Sequence, residues 1–213
     1  MFSRAFAVYA KDLRLELRTR YALNAILMFG ITTLAMVSFS LGQSGLEPKL
    51  LAALFWIIMF FSAMSGLAQA FIKEEEAGTS LALKLTADPD AIYIGKLAFN
   101  LSLLSIMTLI ITPIFFIFTD APTDGLGLFL IVLFLGVLGL CSGTTLVAAI
   151  VSKASVKGAL FAVISFPILM IPLIILVKAS EKVFQGVGFG GITAELQVLV
   201  AYSVIMVTVS VML

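Results

Sequence analysis

The sequence contains no histidine, one cysteine and few charged residues. Only 12% of its 213 residues are charged, about half the share in an average soluble domain. The absence of histidine removes the commonest general base, metal ligand and haem ligand, which argues against a hydrolytic or haem-binding centre. The lone Cys141 cannot form an internal disulfide and is expected to be a buried thiol. The sequence also lacks the GxxxxGK[ST] phosphate loop and the G-x-S-x-G nucleophile motif, so we predict no enzymatic activity, catalytic residue or metal site in this chain.

Long apolar segments dominate what is present. Hydrophobic residues make up 62% of the chain, and the mean hydropathy is +1.19. A helix needs roughly 20 apolar residues to cross a bilayer. Six windows meet that requirement, and they lie at about 21–41, 50–72, 94–118, 126–151, 158–177 and 195–213. The sequence therefore predicts an all-α integral membrane protein, with a six-helix transmembrane domain over 21–213.

The distribution of lysine and arginine predicts the orientation. With the N-terminus inside, ten basic residues lie on the cytoplasmic side: Arg4, Lys11, Arg14, Arg18, Arg20, Lys73, Lys84, Lys96, Lys153 and Lys157. Three lie outside: Lys49, Lys178 and Lys182. Cytoplasmic loops of membrane proteins carry the excess of basic residues. We therefore expect both termini in the cytoplasm.

Residues 1–20 are predicted to form an amphipathic helix before the first span. One apolar stripe recurs at steps of three or four residues, and it consists of Phe2, Phe6, Tyr9, Leu13 and Leu17. Basic residues lie elsewhere on the helical wheel. This pattern is typical of a helix lying in the membrane interface. Such a helix could serve only as an anchor for the first span, or it could also brace a cytoplasmic partner.

The segment between the second and third spans carries clear helix-boundary signals. Gly78 suits the C-terminal cap of one helix, and Thr79 or Ser80 the N-cap of the next. Asp88 followed by Pro89 suits the start of the third span. We expect a short helix over about 79–87 across the cytoplasmic mouth of the bundle.

Three consecutive acids precede this expected short helix. Glu74, Glu75 and Glu76 would lie at a helix C-terminus, where the macrodipole disfavours negative charge. One interpretation is a solvated acidic turn without a partner. The other is a docking surface for a basic groove on another protein, because the segment 73–93 carries two lysines and five acids.

Two spans carry stripes of small residues. Ser62, Gly66 and Ala70 recur every fourth position in the second span. In the fourth span, Gly136, Gly139 and Gly143 lie along one side, the last two as a GxxxG motif. Small residues let helices approach closely in membranes. The stripes indicate either packing within one bundle or a homodimer interface.

The spans contain no carboxylate or other ionisable group near their centres, unlike those of ion-coupled carriers. Asn24, Gln69, Asn100 and Thr112 are expected to join helices by hydrogen bonds. The outer segment 178–194 suggests membrane-embedded loops, short helices or a flexible loop. Without a nucleotide site or coupling residues, the chain is best interpreted as the membrane part of a machine powered by another protein.

Three stretches of the sequence resemble the CcmB family, haem exporter protein B. They are KDLRLELRTR at 11–20, FIKEEEAGTSLALKLTADPD at 71–90, and residues 152–177 around Phe166-Pro167-Ile168. The family more often has an Asp-rich D-x-E-D-G sequence where this chain has Glu-Glu-Glu-Ala-Gly. The resemblance runs along nearly the whole chain and implies an ABC-2 or type-2-exporter-like permease.

The resemblance also implies a role and partners. CcmB proteins are permease-like subunits of an ABC complex in cytochrome c maturation, with an ATPase subunit, CcmA, and with CcmC, CcmD and the haem chaperone CcmE. By this resemblance the chain binds no cofactor itself, ATP is bound by the partner, and haem is handled by the complex. It would work in a bacterial-type inner membrane as a homodimer. Carried over by position from the resemblance, its coupling element would comprise Glu74, Glu75, Glu76, Gly78, Leu81, Leu83 and Leu85. The alternatives are an ABC-2 permease for a lipid or polysaccharide, and a non-transporting assembly scaffold.

Overall fold

The protein is all-helical throughout the part of the chain that the computed structural model describes. That part comprises residues 2–41, 46–67, 74, 78–79, 82–83, 85, 87–152 and 157–212. The helices are α1 (Phe2–Thr19), α2 (Tyr21–Leu41), α3 (Pro48–Gly66), α4 (Pro89–Thr119), α5 (Leu126–Val151), α6 (Lys157–Phe184) and α7 (Thr193–Met212). Six of these, α2 to α7, are long and apolar enough to cross a membrane. The predicted all-α fold with six spans is therefore confirmed.

The spans form a bundle around α3 and α5. Helix α3 contacts α2, α4, α5 and α6, while α5 also packs on α7. Phe55 of α3 lies edge to face against Phe115 of α4 and Phe129 of α5, with ring centroids 5.1 and 5.2 Å apart. All three rings are fully buried. Aromatic pairs of this geometry add to the stability gained from burial alone.

Helix α4 begins as its sequence predicts. Asp88 is the N-cap residue and Pro89 occupies the first turn, where a missing amide proton costs no hydrogen bond. The helix has 31 residues, which corresponds to a length of about 46 Å. The hydrocarbon core of a bilayer is about 30 Å thick. Helix α4 is therefore long enough to extend beyond the membrane.

Helix α6 continues past the predicted end of the fifth span at 177. Its last turns remain helical because Ala179, Ser180 and Val183 are buried against the bundle. The indole Nε1 of Trp56 donates a hydrogen bond to Ser180 Oγ at 2.8 Å. The segment 178–194 therefore consists of the end of α6, a 3-10 turn at Phe189–Gly191 and the start of α7.

Helix α6 contains two prolines, and α7 compensates for one of them. Pro172 has no amide proton to donate to the carbonyl of Ile168, four residues earlier. The hydroxyl of Tyr202 on α7 donates to that carbonyl oxygen at 3.2 Å. A membrane interior offers no water for a carbonyl left without a donor. Tyr202 thus stabilises α6 at the proline and fixes α7 beside it.

The bundle has two ends, which we name by their elements. At the α1 end, α2 and α4 begin, and α1 packs against α4. At the opposite end α2 and α4 terminate, and the Ser38 hydroxyl donates to the carbonyl of Phe118 at 3.4 Å. Of the ion pairs between described residues, five lie at the α1 end, and the pair of Lys182 with Glu195 lies at the opposite end.

Candidate functional site

Helix α1 presents its small and acidic residues to the bundle. Ala5, Val8, Asp12 and Glu16 lie on one face at steps of three or four residues, and all four are buried. Gly95 makes the approach of α1 to α4 possible, since a Cβ atom there would lie 2.7 Å from the carbonyl oxygen of Ala5. The close packing brings Asp12 of α1 next to Lys96, the residue that follows Gly95.

That residue, Lys96, is the buried cation of the site. It lies two turns into α4, and only 1% of its surface is exposed. Its Nζ lies 3.1 Å from Asp12 Oδ2 and 3.4 Å from Glu74 Oε1. A buried ammonium group is tolerated only when opposite charges and hydrogen bonds replace its lost hydration. Lys96 therefore holds carboxylates from two other segments against α4.

Glu74 joins the cluster from the segment that follows α3. Its carboxylate accepts a hydrogen bond from Lys11 Nζ, and Thr79 Oγ1 donates to its Oε2 at 2.8 Å. Lys11 also pairs with Asp12 at 3.3 Å. We call Lys11, Asp12, Glu74, Thr79 and Lys96 the ionic cluster. Its two lysines and two carboxylates balance each other in charge.

Gly78 shapes the turn that directs Glu74 inward. Its φ is +66°, in the left-handed region that glycine occupies without strain. The amide of Thr79 donates to the carbonyl of Glu74 at 3.1 Å, the pairing found in a Schellman helix end. The prediction of a helix cap at Gly78 is therefore confirmed. The same turn places the Thr79 hydroxyl beside the Glu74 carboxylate.

The ionic cluster shifts the pKa values of Glu74 and Lys11. Burial by itself raises the pKa of Glu74, but the Lys11 hydrogen bond, the Lys96 charge and the Thr79 hydroxyl outweigh it and lower that pKa. Burial likewise lowers the pKa of Lys11, and the hydrogen bond and charge from Glu74 and Asp12 reverse this, so that its pKa is raised. Both groups are charged at neutral pH.

These shifts predict how stability depends on acidity. Because folding lowers the pKa of Glu74, its charge stabilises the protein above the ordinary value of 4.5. That contribution is lost as the pH falls through the lower, folded-state pKa. We expect the stability of Glu74→Gln to fall less steeply below that ordinary pKa than the stability of the wild type. Unfolding midpoints of the detergent-solubilised protein across the acidic range measure the difference.

The matched control for this prediction is Glu47→Gln, because Glu47 is an exposed carboxylate at the opposite end of the bundle. The stability of this control should fall with decreasing pH as that of the wild type does. If the stability of Glu74→Gln also falls in parallel with that of the wild type, Glu74 is not held as a charged group in the folded protein.

Further contacts tie α1 to its surroundings. Glu16 Oε1 accepts the amide proton of Leu23 in the first turn of α2 at 2.9 Å. Arg4 pairs with Asp88 at 2.9 Å, but both side chains are more than half exposed, so this pair contributes little to stability. Helix α1 is thus connected to α2, to α4 and to the segment containing Glu74.

The predicted coupling residues occupy different places. Glu74 is buried in the ionic cluster, and Leu83 packs against the small apolar group of Val8, Ala87 and Ile92. Leu85 is 80% exposed. Glu75, Glu76 and Leu81 lie outside the described residues, as do residues 80, 84 and 86 of the expected helix over 79–87. Of the predicted set, Glu74 and Gly78 belong to one local structure.

The predicted small residues of the second span pack within the chain. Ser62 and Gly66 are buried, and a Cβ atom at Gly66 would overlap the side chain of Ile26 on α2. A Cβ atom at Gly30 of α2 would lie 3.2 Å from Ser62 Oγ. Ala70 lies outside the described residues. This stripe therefore forms the contact between α2 and α3.

The glycines of the fourth span also face helices of the same chain. Gly136 lies against Trp56 of α3, and a Cβ atom at Gly143 would come 2.6 Å from Leu169 of α6 and 2.8 Å from the Tyr202 hydroxyl of α7. Gly139 lies between the latter two helices. All three are buried in a single copy of the chain, which supports packing within one bundle.

Sequence reasoning did not identify Asp12 and Lys96 as members of a site. The available signal was Lys96 itself, since a lysine inside an apolar window needs a carboxylate partner. Asp12 and Glu16 lie one helical turn apart on the same face of α1, and they are the carboxylates of that helix that could pair with a buried lysine. Among the described residues, no group of histidine, cysteine, aspartate or glutamate is arranged to hold a metal ion.

Comparison with known proteins places the chain in a family. A comparison with curated proteins found no match. The sequence matches the CcmB protein family over residues 3–212, a range that includes the ionic cluster and all six potential membrane spans. The resemblance predicted from the sequence is therefore confirmed, and this chain belongs to the CcmB protein family.

Proposed function

We propose that this chain couples ATP hydrolysis by a separate ATPase subunit to haem handling and to release of the haem-loaded chaperone. CcmB family membership establishes the coarser statement: the chain is a permease-type membrane subunit of the haem-export ABC system and not an enzyme by itself. The observation that supports the coupling role is the ionic cluster, which joins a segment outside the spans to the interior of a spanning helix.

The ionic cluster is suited to transmit a movement of the segment containing Glu74 to helix α4. Glu74 lies outside the spans, and Lys96 lies in a continuous helix of 31 residues. Separating a buried ion pair leaves uncompensated charges, at a cost of about 3–5 kcal/mol. A displacement of Glu74 by a bound partner therefore moves Lys96, and α4 with it, more readily than it breaks the pair. Asp12 brings α1 into the same movement.

The α1 end of the bundle is the proposed cytoplasmic, ATPase-facing side. Among the described residues this end carries Arg4, Lys11, Arg14, Arg18, Arg20 and Lys96, whereas the opposite end carries Lys49, Lys178 and Lys182. Such an excess of basic residues is what the positive-inside rule expects for the cytoplasmic face of an inner membrane. Leu85 offers an exposed apolar contact there. Since Glu74 is engaged in the ionic cluster, the acids proposed to meet a basic groove on the ATPase are Glu75 and Glu76.

The proposed partners are those of the Ccm complex: a CcmA-like ATPase and CcmC-, CcmD- and CcmE-like haem-handling proteins. A homodimer of this chain within the complex is also proposed. It would use surfaces other than the small-residue stripes, because the described members of those stripes are covered by helices of the same chain.

Charge reversal tests the docking surface. We expect Glu75→Lys with Glu76→Lys to lower recovery of the ATPase subunit about tenfold or more, since like charges facing each other across an interface cost several kcal/mol. The measurement is co-purification of the ATPase with the tagged chain from membranes expressing the whole complex. Equal expression and an unchanged thermal midpoint establish that the variant is folded.

The matched control applies the same charge change at the opposite end, as Glu47→Lys with Asp124→Lys. Both residues are exposed there. Recovery of the ATPase should equal that of the wild type. Undiminished recovery with the Glu75 and Glu76 variant would remove these residues from the interface.

The same purification separates the alternative functions. A permease for a lipid or polysaccharide would retain an ATPase but bring no CcmC-like protein with it. A non-transporting scaffold would bring the haem-handling proteins without any ATPase. Recovery of both kinds of partner with the wild-type chain is the result expected for the proposed function.

A further inference from the structure

Helix α1 has three distinct sides, of which one is buried against the bundle. Its buried side carries Ala5, Val8, Asp12 and Glu16. A second side exposes large apolar side chains, with Phe2 82%, Phe6 69% and Leu17 64% exposed. The third side carries the basic residues Arg4, Lys11, Arg14 and Arg18. We call the second side the apolar face and the third the basic face.

The position of α1 along α4 places it at the membrane surface. Helix α4 exceeds the hydrocarbon thickness by about 16 Å, or roughly ten residues. The excess lies at its first turns, which contain Asp90 and Lys96, because its other end reads Ile-Phe-Phe-Ile-Phe. Contacts from α1 fall on these turns and just beyond, from Asp88 to Ser102. Helix α1 therefore lies where acyl chains meet headgroups.

Two residues of the basic face remain for an outside partner. Lys11 is part of the ionic cluster, and Arg4 pairs with Asp88. Arg14 and Arg18 are exposed, and neither forms an ion pair with any residue that the structure describes. They are one helical turn apart, so their side chains project from neighbouring positions. Guanidinium groups bind phosphate through two parallel hydrogen bonds.

We propose that α1 binds the phosphate headgroups of anionic phospholipids through Arg14 and Arg18, while its apolar face inserts among the acyl chains. A lipid is the partner that fits both sides at once: the apolar face needs hydrocarbon, and the adjacent basic face needs anions at the hydrocarbon boundary. The inference goes beyond the coupling role and does not depend on which side of the membrane α1 occupies.

Selective quenching by lipids tests this binding. The full chain carrying Phe6→Cys is labelled with a fluorophore, while Cys141, which is fully buried, stays unlabelled. It is placed in nanodiscs of phosphatidylcholine with a minority of phosphatidylglycerol. A small, equal mole fraction of either lipid then carries a quencher near the top of its acyl chain. We expect quenching by phosphatidylglycerol to exceed that by phosphatidylcholine at least about twofold.

The arginines should account for this difference. With Arg14→Gln and Arg18→Gln the two lipids should quench equally, and raising the salt concentration should reduce the wild-type difference. The matched control is Lys49→Gln with Lys178→Gln, which removes two exposed positive charges outside α1 and should preserve the difference.

Three outcomes would overturn the proposal. Absence of quenching by either lipid would mean that α1 is not at the bilayer surface. Equal quenching in the wild type would mean that no anionic lipid is selected. Selectivity that survives the arginine substitutions, together with loss of a co-purifying protein from the complex, would assign Arg14 and Arg18 to a protein interface instead. ATPase recovery does not enter the lipid measurement, so failure here leaves the coupling proposal standing.

Discussion

Replacing Lys96 with methionine is expected to lower the free energy of unfolding by about 3–5 kcal/mol, the cost of removing one partner from a buried ion pair. Asp12 and Glu74 are 8% and 9% exposed, so neither gains enough hydration to compensate for the lost ammonium group. Methionine fills a similar volume, which confines the effect to charge and hydrogen bonding. The measurement is the unfolding free energy of the purified chain, titrated from mild detergent into sodium dodecyl sulfate.

Lys49→Met is the matched control, because Lys49 is exposed at the opposite end of the bundle and its loss should change the unfolding free energy little. Adding Asp12→Asn and Glu74→Gln to Lys96→Met should recover much of the stability, since the carboxylates no longer need a cation. If Lys96→Met costs no more than Lys49→Met, the buried ion pairs do not hold this end of the bundle together.

The rescued triple variant also tests the proposed coupling. Its packing is restored, but the ionic connection between the Glu74 segment and α4 is absent. We expect it to recover the ATPase normally in co-purification and to release less haem-loaded chaperone. Normal release by the triple variant would leave the cluster with a stabilising role alone and would not affect the stability result.

The second large effect is expected at Gly136. A Cβ atom there would overlap Cη2 of Trp56 and lie 2.7 Å from Cζ3 and 2.9 Å from Leu176 Cδ2. The Trp56 ring cannot move aside easily, because it is fully buried and its Nε1 donates a hydrogen bond to Ser180 Oγ. We therefore expect Gly136→Ala to destabilise the protein by about 1–3 kcal/mol through overpacking. Trp56 is the sole tryptophan, so a shift in its emission would accompany the loss.

Gly127→Ala is the control on the same helix, since a Cβ atom at Gly127 meets nothing within 4 Å. Alanine there should be neutral or slightly stabilising. Combining Gly136→Ala with Trp56→Phe should cost less than the sum of the two changes, because the smaller ring leaves room for the methyl group. A variant that kept its stability and altered only self-association would instead place Gly136 in a homodimer interface.

Part of the fold and of the site could be predicted from local sequence. The starts of α2 and α5 and the Asp88-Pro89 start of α4 follow from apolar runs and capping residues that act within a few positions. Gly78 could be predicted because a left-handed turn favours glycine. The end of α6 could not, because helix formation by polar residues after 177 depends on burial of Ala179 and Ser180 against α3.

The inward position of Glu74 could not be predicted from local sequence either. A run of three glutamates at a helix end suggests an exposed acidic surface. The partners of Glu74, Lys11 and Lys96, are 63 and 22 positions away along the chain, so no short-range pattern connects them.

The sequence by itself determined that this protein lies in a membrane, how many times it can cross, and its family, because apolar length and motif order are properties of the chain alone. The tertiary structure decided which charged residues face one another and which small residues are already covered. The physical reason is that the energy of a buried charge or of a close helix contact depends on atoms that folding brings together from distant parts of the chain.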